Sequence, residues 1–113
     1  MRPVLRSLES FDLEEGVLPL DPEECQVSVR ALIGPADGAG EESFDFIVAT
    51  PRALKVEGHR WGHALLLVER FDWDLVRTAV SKILRHCEGE DWSVVASRLS
   101  RYFDWEFDGY RNA

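Results

Sequence analysis

Basic residues are scarce in this 113-residue chain: 13 Lys and Arg stand against 21 Asp and Glu, a formal net charge of −8. Sequence-independent affinity for nucleic acid comes from Lys and Arg neutralising phosphates, so the balance excludes a protein whose main task is to grip a phosphate backbone. An anionic membrane surface is disfavoured for the same reason. Cysteine is sparse too, and nothing in the spacing of Cys25 and Cys87 asks for a bridge. Long apolar runs are missing: the longest, residues 64–68, is far short of the ~20 residues that cross a bilayer. The opening Met1-Arg2-Pro3-Val4-Leu5-Arg6 lacks the apolar core and cleavage site of a signal peptide. The expectation is a cytoplasmic protein in a reducing compartment, with no direct contact to nucleic acid or membrane.

What is present is enough for a core. At 45% hydrophobic and 11% aromatic residues, a chain of this size buries roughly two-thirds of the surface its unfolded form exposes, without metal or disulfide staples. One domain spanning residues 1–113 follows. Residues 4–8 read as a short strand. Residues 9–24 hold seven acids and no Lys or Arg, together with Gly16, Pro19 and Pro22, and have no helical apolar stripe; they read as an exposed acidic loop. Residues 25–33 alternate apolar and polar side chains, the period of a half-buried strand. Gly34-Pro35-Ala36-Asp37-Gly38-Ala39-Gly40 makes a hairpin loop. Residues 43–50 return as a strand that Pro51 ends, with Phe44, Phe46, Val48 and Thr50 on one face.

A single helical turn is expected at residues 53–56, and a strand at 63–70 whose Leu and Val content suggests a central place in the sheet. Asp72 or Asp74 caps a helix with a stripe of Val76, Ala79, Val80, Ile83, Leu84 and Cys87, which Gly89 is placed to stop. A second helix starts at Glu90-Asp91 and buries Trp92, Val95, Ala96 and Leu99. The alternating aromatic and acidic residues 103–110 fit a closing edge strand or an extended tail. The fold class is α+β: an antiparallel sheet of about four to five strands covered on one face by two C-terminal helices.

Catalytic patterns fare poorly. His59-x-x-x-His63 has the i, i+4 spacing of a helical metal pair, but Gly58 and Gly62 break the helix, Arg60 stands where a zinc protease has Glu, and no third ligand is supplied. Glu14-Glu15, Glu23-Glu24, Glu41-Glu42 and Asp72 with Asp74 are paired carboxylates, yet acid/base work needs one of a pair desolvated beside an ionised one, and these lie in polar loops or at a cap. Cys25 and Cys87 occupy strand and helix positions suited to small core hydrophobes. No nucleophile elbow, phosphate loop or dinucleotide fingerprint is present in the sequence. Trp92 is assigned to the core, while Trp61 and Trp105 are candidates for exposed anchors, with packing over the sheet edge as the competing role. The expectation is a non-enzyme with no catalytic residue, no metal and no cofactor. The alternatives are a small carboxylate- or histidine-dependent enzyme, or a structural or adaptor domain.

Three motifs in order, Ser43-Phe44-Asp45-Phe46-Ile47-Val48-Ala49-Thr50-Pro51, then Cys87-Glu88-Gly89-x-x-Trp92-x-x-Val95-Ala96-x-x-Leu99-Ser100-Arg101, then Trp105-Glu106-Phe107, make the chain resemble the immunity protein 8 family of bacterial polymorphic toxin systems. The resemblance covers nearly the whole chain. Two departures stand out: Ala49 stands where the family usually has Cys, and the bulky aromatic common near position 53, here Ala53, is missing. It implies an antitoxin: a cytoplasmic protein that binds and blocks a cognate toxin domain without catalysis, the toxin being a nuclease with a basic groove in many such systems.

On that basis the expected partner is a basic toxin domain, drawn in by long-range attraction. The expected partner-binding rim joins Glu14, Glu15, Asp21, Glu23 and Glu24 of the acidic loop to Asp37, Glu41 and Glu42 of the hairpin loop, with Trp61 as an aromatic anchor. Residues 1–56 carry five basic and eleven acidic groups, whereas residues 57–113 carry eight and ten, so the surplus of acid sits in the first half.

Overall fold

A computed structural model describes residues 1–60 and 62–108. The three longest strands come first: β1 (Pro3–Ser10), β2 (Gln26–Pro35) and β3 (Glu42–Ala49), joined as two successive antiparallel pairs. Period-two patterning fixes the register, because a one-residue slip would turn every apolar side chain to the wrong face. Val27 lies opposite Val48, Val29 opposite Phe46 and Ala31 opposite Phe44, and all six are buried. The other face carries Gln26, Ser28, Arg30 and Leu32 of β2 against Ala49, Ile47, Asp45 and Ser43 of β3.

After β3 the chain makes helix α1 (Pro51–Glu57), started by Thr50, whose Oγ1 accepts from the Ala53 N–H at 3.4 Å. This crossover lets β4 (Leu65–Leu67) run parallel to β3, which a tight hairpin could not do. The 63–70 segment is therefore not the central strand its composition suggests. Only three residues pair, at the outer edge of β3 and in the same direction as β3, and Leu67 is exposed. The sheet is mostly antiparallel.

Helix α2 (Trp73–Leu84) is capped by Asp72, whose carboxylate accepts from the Asp74 N–H at 2.8 Å. It buries Val76, Val80 and Leu84. It ends five residues before Gly89, which instead ties the chain start: the Gly89 N–H donates to the Met1 carbonyl at 3.0 Å. Cys87 lies past the helix and is fully buried. Helix α3 (Trp92–Leu99) is capped by Asp91 and buries Val95, Ala96 and Leu99. The two-residue β5 (Asp104–Trp105) then pairs antiparallel with Phe44 and Asp45, so β4 and β5 share the outer edge of β3. Residues 103–108 thus close the sheet with a very short strand, and the rest of the 103–110 segment read from the sequence lies partly outside the described residues.

Helices α2 and α3 pack on the face that carries Val27, Val29, Phe44, Phe46 and Val48, forming one apolar cluster with Phe71, Cys87 and Phe103. At its centre Phe44 stacks nearly parallel to Trp105 (7°, 6.3 Å between centroids) and meets Trp92 and Phe103 edge-on. The opposite face is left open between Glu9, Arg30, Asp45, Ile47 and Leu65.

Candidate functional site

The chain's two acidic loops lie at opposite ends of β2. Residues 11–25 lead into Gln26, and residues 36–41 leave Pro35. Ten strand residues separate them, about 30 Å at strand rise. Glu14, Glu15, Asp21, Glu23 and Glu24 belong to the first loop, and Asp37 and Glu41 to the second; all seven are exposed. The acids expected to form one rim are therefore carried at the two ends of β2. Trp61 lies outside the described residues.

At the hairpin end the acids are partly consumed by the fold. Glu42 opens β3, half-buried, and its carboxylate accepts from two indoles, Trp92 Nε1 and Trp105 Nε1, the latter at 3.1 Å. Pairing with both indole N–H groups ties α3 and β5 to the sheet, since a buried N–H left unpaired is costly. Trp105 is thereby a packing residue and not an exposed anchor. The loop itself is held by Arg6, whose guanidinium donates to the Pro35 and Gly38 carbonyls at 2.7 and 2.8 Å. Gly34 packs so tightly against the Gly40 carbonyl that a Cβ would collide with it.

At the other end the loop is fastened, Leu13 and Cys25 pack against the core, and Glu14, Glu15, Glu23 and Glu24 are exposed. Ser10 Oγ accepts from the Asp12 and Leu13 N–H groups and donates to the Ser28 carbonyl. The Asp12 carboxylate accepts from the Ser28 N–H at 2.7 Å. Midway, Trp73 Nε1 of α2 donates to the Val17 carbonyl at 3.0 Å, and further on the Phe71 N–H donates to the Pro22 carbonyl at 2.8 Å. Asp21 folds back on the Glu23 N–H. The Cys25 N–H donates to Thr50 Oγ1, and the Thr50 N–H returns a bond to the Cys25 carbonyl. Burial, with Asp21 nearby, pushes the Cys25 thiol pKa above its ordinary value.

Glu14, Glu15 and Gly16 form one wall of a cleft of about 690 Å³ whose other side is Trp73, Asp74 and Arg77 of α2. It adjoins a second cleft of about 370 Å³ lined by Arg2, Arg6, Arg77 and Arg85, so the groove between β1 and α2 changes sign along its length.

On the open sheet face Arg30 and Asp45 make a two-pronged pair at 2.8 and 3.0 Å, and the Phe11 ring sits over the guanidinium at 4.7 Å. The hydrogen bond to Asp45 raises the Arg30 pKa further. Both side chains are about one-third exposed, so the pair contributes less than about 1 kcal/mol. His59 and His63 fall between α1 and β4, not on a helix, and His63 Nε2 lies 3.3 Å from Asp104. Among the described residues no three His, Cys, Asp or Glu side chains converge as a metal site would require. No helix of the described residues is long and apolar enough to cross a membrane.

The sequence is matched by the model of the immunity protein 8 family (Imm8) over residues 4–110. The chain belongs to the immunity protein 8 family. The family comprises immunity proteins of polymorphic toxin systems, typically non-catalytic, and membership implies a cognate toxin partner. No curated protein and no solved structure matches the chain. Four apolar residues that the charge pattern does not single out, Phe11, Val17, Leu18 and Leu20, are also exposed among the loop acids. The signal was available, since apolar residues scattered through a segment with no periodic stripe have no core face to occupy.

Proposed function

We propose that this Imm8 protein neutralises its toxin by covering it, without catalysis, and that the toxin surface it meets is basic, such as the substrate groove of a nuclease. The observation that carries the reading is the family match across residues 4–110. The charge distribution supports the choice of partner: the loop of residues 11–25 turns Glu14, Glu15, Asp21, Glu23 and Glu24 to solvent. A surface of one sign raises encounter rates with a surface of the other, up to about 10⁸ M⁻¹s⁻¹ at low salt. We assign the toxin-facing side to this loop. Asp37 and Glu41, at the far end of β2, add long-range attraction without sharing the contact, and Glu42 serves the fold.

The test is protection in cells. The C-terminal domain encoded by the adjoining gene is expressed alone and together with this chain. Growth restored only on co-expression is the expected result; killing that proceeds equally with and without the chain contradicts the proposal. Charge reversal at Glu23 and Glu24 slows association with that domain and flattens its salt dependence, read by stopped-flow mixing at low and high salt.

A further inference from the structure

Four successive residues of the acidic loop, 17–20, hold three exposed large apolar side chains, Val17 at 46% exposure, Leu18 at 48% and Leu20 fully exposed, whereas the exposed Phe11 is engaged over the Arg30 guanidinium. Single apolar residues on a surface are ordinary, but a concentration of them marks an interaction site. Their backbone is already in place. The bonds of Ser10 and Asp12 hold the start of the loop, Trp73 holds Val17, and Phe71 holds Pro22. Between the last two fastenings stands Leu18-Pro19-Leu20-Asp21, with φ at Pro19 fixed by its ring. A tip so fastened loses little conformational freedom on binding, so burial of its leucines appears as affinity instead of being spent on ordering.

The surrounding charge selects the occupant. Glu14 and Glu15 precede the tip, and Asp21, Glu23 and Glu24 follow it. An anionic lipid surface is repelled by these acids, and so is the same loop of a second copy. Strand addition at the free side of β1 is a poorer mode of binding, because Pro3 and the bulge between Leu5 and Ser7 blunt that edge. The complement of the tip is an apolar pocket bordered by Lys and Arg.

Resting on the immunity reading, we infer that Leu18 and Leu20 are the anchors of the toxin contact, seated in an apolar pocket of the toxin domain rimmed by basic side chains. The loop carboxylates supply the charged border, an arrangement of a small desolvated centre within a polar rim.

The experiment titrates the purified full-length chain against an inactivated form of the toxin domain encoded by the adjoining gene. Wild type, the Leu18→Ala/Leu20→Ala double variant and Leu20→Met are compared. Both leucines are exposed, so thermal unfolding of the double variant should match wild type and exclude misfolding as the cause. The expected result is a loss of at least 100-fold in affinity for the double variant, expressed mainly as faster dissociation, with Leu20→Met close to wild type. Wild-type affinity in the double variant overturns the anchor assignment and leaves the immunity function intact. Failure of the wild-type chain to bind or protect overturns both.

Discussion

The two ends of β2 are alike in composition and opposite in use. Each loop is acidic and rich in turn residues, yet the hairpin end commits Glu42 to two indoles and the Pro35 and Gly38 carbonyls to Arg6, leaving Asp37 and Glu41 exposed. The other end is fastened through its backbone and keeps its carboxylates and leucines in solvent. The contrast separates rigidity from burial. Both loops are held, and on the proposed reading the loop of residues 11–25 meets the toxin, so substitutions should damage stability at one end and association at the other.

The largest effect on stability is expected at Gly34. Gly34→Ala places a methyl group against the Gly40 carbonyl, forcing the backbone apart at a cost of about 3 kcal/mol. Gly16, in the acidic loop, has a φ of +73° but open space around it, so Gly16→Ala costs only about 1 kcal/mol, the strain of a left-handed backbone. Denaturant titration of the two variants checks the difference, and equal losses would break the comparison.

Next comes Glu42→Ala, which strands two half-buried indole N–H groups and should cost about 2 kcal/mol. Glu23→Ala, on an exposed side chain, should leave the unfolding midpoint unchanged while slowing toxin association. Trp73→Phe removes the bond to the Val17 carbonyl, about 1 kcal/mol; it should also weaken toxin binding beyond that loss, because the loop tip is no longer fixed. Calorimetry gives both quantities.

The smallest expected effect concerns the thiols. Burial raises the pKa of Cys87 in the fold, nearby Arg98 and Arg101 opposing it, and burial likewise raises that of Cys25. In the unfolded chain both thiols ionise near the ordinary value of about 8.5. Their contribution is thus complete below that pH and is lost as pH rises through the shifted folded values. The stability advantage of wild type over Cys87→Ala should be constant from pH 6 to 8 and shrink above about pH 9; an advantage that grows instead would reverse the sign.

Much of the fold was legible because its signals are local. Alternation in 26–33 and 43–50 encodes β2 and β3 with their faces, and the stripes of α2 and α3 lie within single helices. Strand β4 was misplaced for a physical reason. Leu65, Leu66 and Leu67 are apolar on both faces, as in a central strand, yet only Leu66 shares the core face with Val48. The fate of Glu42 was illegible, since its two partners lie 50 and 63 residues away. The acids of residues 11–25 are visible as a group in the sequence; that Asp37 and Glu41 stand at the far end of a strand depends on β2 being ten residues long. The exposure of Leu18 and Leu20 is not encoded in the charge pattern around them, because it depends on the backbone bonds of Val17 and Pro22 to α2 and its approach.

Amide hydrogen exchange of the whole chain, with and without the inactivated toxin domain from the adjoining gene, tests the central contrast most directly. Slowed exchange or protection confined to residues 11–24 and the adjoining start of α2, with residues 36–41 unchanged, is the predicted result. Protection of residues 36–41 or of the Arg30–Asp45 face, with residues 11–24 unaltered, would contradict the account.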